Sequence, residues 1–350
     1  MTIKHQAKNR AISICVILSL IAFCGCKTGP AKQRTGNVTA GNPVSSELEV
    51  QATQIIQQAL ANSNPHVRAN AIETVANIPV SRASKFMPEV QQLLKDEFVP
   101  VRFAAAVAIG DTGYSQARGD ITQLLKDNNG NTRIAAAYAA SKLGSAGKFA
   151  IIYTSLKSPD QSVRANAAFL LGKSDESPRR ALPLLYETMR DATSDEKVIL
   201  SSIEAIARLG DNRIYQKLWA MLISAYADDR VCGVRAMGAL GTSQAKDSIL
   251  TMLKDDLTEV RLVAAEQLGN LGDTAGEKVV VDALTNDAVN APDRETKARI
   301  QTLAALAIGQ IRTPTLERFL PELLKSESQF ARLAAAKAVF QYASQNNIGR

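Results

Sequence analysis

Apolar positions along this chain fall into alternating long and short blocks. The long block is small and alanine-rich, as in "VRFAAAVAIGDTG" from Val101. Copies begin at Val67, Thr132, Val163 and Val260, and weaker ones at Val198, Cys232, Ile300 and Ala331. The starts are spaced by about 33 residues. Between them lies a shorter block with bulkier side chains, such as "FMPEVQQLLKD", "ARGDITQLLKD" or "ALPLLYETMRD". Both blocks have helical spacing, so each unit predicts two helices, A then B, joined by short turns. One such hairpin cannot bury both apolar faces alone, and stacking neighbours makes one continuous core. The expected fold is all-α, an α-α superhelix of about eight to nine helical hairpins.

The repeated residues have physical roles. Alanines let helices approach closely while keeping high helix propensity. Gly110, Gly172, Gly241, Gly269 and Gly309 recur near the end of helix A, where glycine permits close packing or starts a left-handed cap. Arg68, Arg102, Arg133, Arg164, Arg261 and Arg332 share one place at the start of helix A. A cation there opposes the helix dipole. Asp96, Asp127, Asp160 and Asp255 stand in the preceding turns, and an aspartate there can cap helix A and face an arginine of its own or an adjacent repeat. The expected structural ladder is Asp96, Arg102, Asp127, Arg133, Arg164, Asp255 and Arg261, broken at Ile199, Gly233 and Gln301. Residues 286–297 predict an enlarged loop. Residues 46–62 read as a lone helix capping one end of the stack, and the final helix as a cap on the other.

The pattern resembles HEAT-like repeats of the phycobilin-lyase type. The motif VRxxAAxALGxLGD is matched almost throughout by "VRLVAAEQLGNLGD", residues 260–273, and the resemblance spans about residues 46 to 345. It implies a solenoid whose B helices line the concave surface. Lyase activity is also implied by the resemblance, but no residue carries it over.

The N-terminus changes the picture of where the protein works. Lys4, Lys8 and Arg10 precede the apolar run 11–23, which is short for a membrane-spanning helix. Gly25-Cys26 then resembles the lipobox of bacterial lipoproteins, with Cys26 the lipidated residue; an uncleaved anchor is the alternative. The expected organisation is a signal peptide over 1–25, a flexible tether over 26–45 and a repeat solenoid over 46–347. Lys27, by resemblance to lipoprotein sorting signals, points to the outer membrane facing the periplasm. Removing 1–25 takes away three cations and no acid, so the formal charge falls from +7 to about +4. That mild balance, with the export signal, argues against nucleic acid as a partner.

Candidate chemistry is sparse. The mature chain keeps His66, Cys26 and Cys232, which excludes a closed Cys/His zinc site. No phosphate-binding glycine loop or nucleophile elbow is present, so no catalytic residue, metal or cofactor is expected. Cys232 reads as a small buried hydrophobe. The aligned B helices place Tyr153, Tyr186 and Trp219 at one equivalent position, with Arg179, Arg180, Arg190 and Arg213 nearby. Rings with polar tips make interface anchors, although such stripes also pack cores. The expected function is an exported, lipid-anchored scaffold binding protein partners, acidic or extended. The alternatives are a lyase-like enzyme and an envelope polysaccharide- or cofactor-binding module.

Overall fold

The computed structural model describes residues 46–343. These fold into twenty α-helices, α1 to α20 in chain order, with no strand among the described residues. The alanine-rich blocks form nine inner helices: α2 (Pro65–Ala76), α5 (Val99–Thr112), α7 (Gly130–Lys142), α9 (Gln161–Lys173), α11 (Glu196–Arg208), α13 (Ala227–Leu240), α15 (Thr258–Asn270), α17 (Arg294–Ile311) and α20 (Gln329–Ala343). The outer layer holds α1 (Ser46–Leu60), α3 (Val80–Ala83) with α4 (Met87–Gln92), α6 (Arg118–Leu124), α8 (Phe149–Ser155), α10 (Pro178–Arg190), α12 (Tyr215–Leu222), α14 (Ser243–Met252), α16 (Glu277–Asp282), and α18 (Pro314–Glu317) with α19 (Leu320–Leu323).

The inner helices touch almost backbone to backbone. On α9, a β-carbon placed at Gly172 would lie 2.6 Å from the Ala205 Cα of α11. The α5 stretch from Phe103 to Gly110 is buried on every side. Apart from α1 and α10 the outer helices are shorter; they carry larger side chains and touch one another far less. Small residues inside and large ones outside make each hairpin a wedge, so the stack curves toward the alanine-rich helices. This corrects the expectation that the B helices line the concave surface: they form the outer belt.

The curvature closes the chain on itself. Helix α1 packs against α20 and α2, as any outer helix packs against the two inner helices beside it. The N-terminal helix thus supplies the outer helix that the ninth repeat lacks, and α20 also meets α2 directly. Ala52, Ile56, Ala59 and Leu60 of α1 are buried there. Phe86 and Phe340 meet edge to face at 6.3 Å, with the Lys85 ammonium 5.0 Å from each ring. Arg82 pairs with Glu49 at 2.6 Å. The two terminal helices therefore do not cap opposite ends of an open stack; they meet. The structure ends its description at residue 343, so residues 344–347 of the expected solenoid lie outside the described residues.

The arginines join consecutive repeats. Arg102 donates to Asp127 through Nε at 3.0 Å and Nη2 at 3.2 Å, while its Nη1 donates to the Asp96 and Glu97 carbonyls of the turn before it. Arg68 treats Asp96 in the same way, at 2.7 and 2.9 Å. Arg164 pairs with Asp191 and Arg261 with Asp287. Arg133 bonds the Asp127 and Asn128 carbonyls and has no carboxylate partner among the described residues. Asp96, Asp127 and Asp255 accept the backbone N–H two residues on, inside the turn. They tighten the turn rather than cap helix A, whereas Asp160 does cap α9.

The sixth repeat corrects the expected break at Gly233. Arg230 occupies the ladder position, donating to Asp255 at 2.8 and 2.9 Å and to the Ser224 and Ala225 carbonyls. The sixth register starts three residues earlier than the glycine match with Gly110 suggests. Gly241 is a left-handed cap (φ 66°) like Gly113 (φ 67°), and Gly238 is the close-packing glycine, held against Gln267. The expected long loop is also shorter. Ala283–Asp287 forms a π turn and Arg294 to Lys297 begin α17.

Candidate partner-binding surface

The aromatic positions expected from the alignment lie on the outer belt, on three successive helices. Tyr153 on α8 is half-buried, packed near Phe149. Its hydroxyl donates to Glu176, and the Arg180 guanidinium lies 5.5 Å from the ring centre. Burial, then Glu176, pushes the phenol up to about 12. Tyr186 on α10 is half-buried between Arg190 at 5.3 Å and Arg213 at 5.2 Å. Arg213 holds Asp211 at 2.5 Å, and its hydrogen bonds draw that carboxyl below the usual range despite partial burial. Trp219 on α12 is 38% exposed. The rings therefore make no free-standing stack. Two are covered by arginines at stacking distance, as cation–π geometry favours, and one is open.

Of the four candidate arginines, Arg180 lies near Glu176 and Arg213 binds Asp211. Arg179 and Arg190 are exposed and form no ion pair among the described residues. The surface thus carries two exposed cations without an ion pair among the described residues, of which Arg190 lies over the Tyr186 ring.

Two residues missed by the alignment extend this surface. Ile223 and Tyr226 are each 69% exposed, four and seven residues after Trp219. Tyr226 stands at the N-cap of α13 and makes no capping bond. In five other inner helices this position is Asn64, Asn129, Asp160, Asp195 or Asp293, each accepting a helix N–H, whereas α5 and α15 have Phe98 and Leu257 there, also without a capping bond. A lost cap costs about 1 kcal/mol. Tyr226 differs from Phe98 and Leu257 in its greater exposure, which the structure and not the sequence shows.

The axis side of the ring is polar but self-paired. Asp111 accepts from the Tyr138 hydroxyl at 2.5 Å and from Lys173 Nζ at 2.7 Å, although Lys173 lies two repeats on. Arg208 holds Glu204 at 2.5 Å. Burial pushes the Glu73 carboxyl up to about 8, against the pull of Lys337 and Lys173. The half-buried Cys232 thiol is pushed up to about 12 by burial, which makes it a poor nucleophile. Among the described residues no group of His, Cys, Asp and Glu is placed to hold a metal ion, and no helix is long and apolar enough to cross a membrane. Cys26 lies outside the described residues.

The family described as HEAT repeats matches residues 87–157 and 150–232. No curated protein matches the chain. Among solved structures, it is similar to the complex of CpcE and CpcF of phycocyanin lyase from Nostoc sp. PCC7120, at 18% identity over 72% of this chain and 93% of that one, TM-score 0.39. It is also similar to human deoxyhypusine hydroxylase in complex with glycerol, at 15% identity over 85% and 98%, TM-score 0.33. Importin beta follows at 15% identity over 83% and 47%, TM-score 0.33. At these identities and scores no function is transferred. What the chain is, by its repeat and its packing, is an all-α, HEAT-like solenoid of stacked helical hairpins.

Proposed function

We propose that this protein is an exported, lipid-anchored scaffold that binds a protein partner on its outer belt. The observation that carries the reading is the exposed edge Trp219, Ile223 and Tyr226, on the same outer belt that carries the exposed Arg190 over the Tyr186 ring. Exposed aromatic and aliphatic side chains next to arginine are the composition of interface hot spots. The partner chemistry that fits is a protein segment presenting an apolar side chain next to a carboxylate. The anchor is Cys26, the tether residues 26–45, and the location the outer membrane facing the periplasm. A tether of that length leaves the outer belt free to meet a large partner.

The test is crosslinking in the native envelope followed by mass spectrometry, comparing wild type with Trp219→Ala/Tyr226→Ala. The expected result is loss of a discrete crosslinked species; an unchanged pattern removes this surface. Intact mass of the mature N-terminus tests the anchor, and a chain retaining Met1, or an unmodified Cys26, overturns it.

A further inference from the structure

Seven ladder arginines can be compared, and Arg164 stands apart from the other six. Arg68, Arg102, Arg133, Arg230, Arg261 and Arg332 each donate through Nη1 to the two carbonyls five and six residues before them. Arg164 does not. Its guanidinium turns toward the next turn instead, donating to Thr193 Oγ1 at 2.9 Å, Ser194 Oγ at 2.6 Å and Asp191 at 3.2 Å. The unpartnered Nε of this 4% exposed side chain marks how far it has turned. The carbonyls of Ser158 and Pro159, which its counterparts would have bonded, accept no hydrogen bond among the described residues.

A cavity of about 540 Å³ opens at this place, between α8 and α10. Tyr153, Leu156, Pro159 and Leu184 give it apolar walls, and Ser158 and Arg164 line it too. Its charges are balanced. Lys157 meets Glu187 at 3.3 Å and Arg164 meets Asp191. The inner helices behind it, α7 and α9, also pack less closely than α5 with α7 or α9 with α11.

We infer that this cavity takes an extended peptide segment of the partner, with its amide N–H groups on the free carbonyls of Ser158 and Pro159. An apolar side chain of that segment lies against Tyr153, Leu156 and Leu184. The argument is one of matching. A small inorganic anion brings acceptors to a place that already offers two acceptors and no net positive charge. A peptide brings N–H donors spaced along a chain, together with the apolar side chain that the walls need. The volume is within the range that holds a few residues of guest. The inference rests on the partner-binding reading above and gives it a specific site.

The test is methyl NMR of the full-length chain titrated with N-acetyl-leucine N-methylamide, a single capped residue. Sodium acetate and sodium phosphate serve as comparison probes. The expected result is a saturable shift of the Leu156 and Leu184 methyls with the amide alone. Leu184→Trp, which fills the cavity, should weaken binding by roughly tenfold. The Ile56 and Val339 methyls report that the ring is intact; if they move in Leu184→Trp, Ser158→Tyr provides the same reading. The inference is overturned if no saturable shift occurs, if acetate or phosphate produces the same shift, or if a folded cavity-filled variant binds as wild type does. Failure here with crosslinks still dependent on Trp219 would remove this site and leave the partner-binding reading standing.

Discussion

Glu73 shows how one enclosed residue reports on the ring. Its carboxyl faces Lys337 of the last inner helix and Lys173 of the fourth, yet burial outweighs both and holds its pKa near 8. The ordinary value is 4.5. Between those two values the folded chain keeps a proton that the unfolded chain has lost. Stability from this group is therefore full below about pH 4.5, falls as pH rises and reaches its floor above about pH 8. Glu73→Gln is neutral throughout and should flatten that slope. The variant should melt like wild type at pH 4.5 and be more stable at pH 9, by up to a few kcal/mol. Thermal melts at both values check this, and an unchanged slope would show that the carboxyl is ionised in the fold. Gly172 makes the opposite case. With Ala205 Cα 2.6 Å from where its side chain would begin, Gly172→Val should destabilise the chain by about 3 kcal/mol, measured by urea denaturation. The glycine was legible as a packing residue in sequence. Arg230 was not, because Gly238 and Gly241 stand three apart and do different jobs, so the wrong one can be set against Gly110.

At the scale of elements, the ladder is a staple between repeats rather than a cap within one. Asp255 receives Arg230 from the preceding inner helix and also the Leu257 N–H of its own turn. Burial works against its ionisation, but those bonds prevail and hold its carboxyl below the usual range. Its contribution is present above that range and is lost as pH falls through the depressed value. Asp255→Ala would leave Arg230, 9% exposed, with only its carbonyl contacts and the exposed Asp256. The expected loss is about 2 kcal/mol at neutral pH. Asp255→Asn should fall in between, since an amide still accepts the turn N–H. Urea denaturation of both variants tests this, and equal losses would mean that the ion pair adds nothing beyond the turn. The arginine–aspartate pattern was readable because its spacing recurs. Its direction, from one repeat to the next, was not readable, because sequence spacing fits a partner within the repeat as well as one across it. The Trp219, Ile223 and Tyr226 edge was half legible: only the aromatic aligned on a helix stood out, and the two in the following turn needed the register and their exposure.

At the scale of the molecule, closure is the feature that periodicity could not reveal. Nine copies fix that hairpins stack, but the curvature depends on the small difference between inner and outer side-chain volumes summed over every repeat. Residues 46–62 therefore read as an end cap, when their helix, Ser46–Leu60, is the missing outer helix of the last repeat. This predicts how the ring fails. Each hairpin draws its stability from its immediate neighbours, so breaking the α1–α20 contact should open the ring without melting the stack. Ile56 is fully buried at that contact. Ile56→Asp places a carboxylate there with no partner to satisfy it, and the contact should part rather than enclose the charge. Helical content by circular dichroism should fall by no more than the share of α1. The radius of gyration from solution X-ray scattering should rise, because an opened spiral is longer than a closed ring of the same repeats. Loss of most of the helical signal would mean that closure is needed for the repeats to fold at all. An unchanged radius would mean that the remaining contacts, Phe86 on Phe340 and α20 on α2, hold the ends together alone.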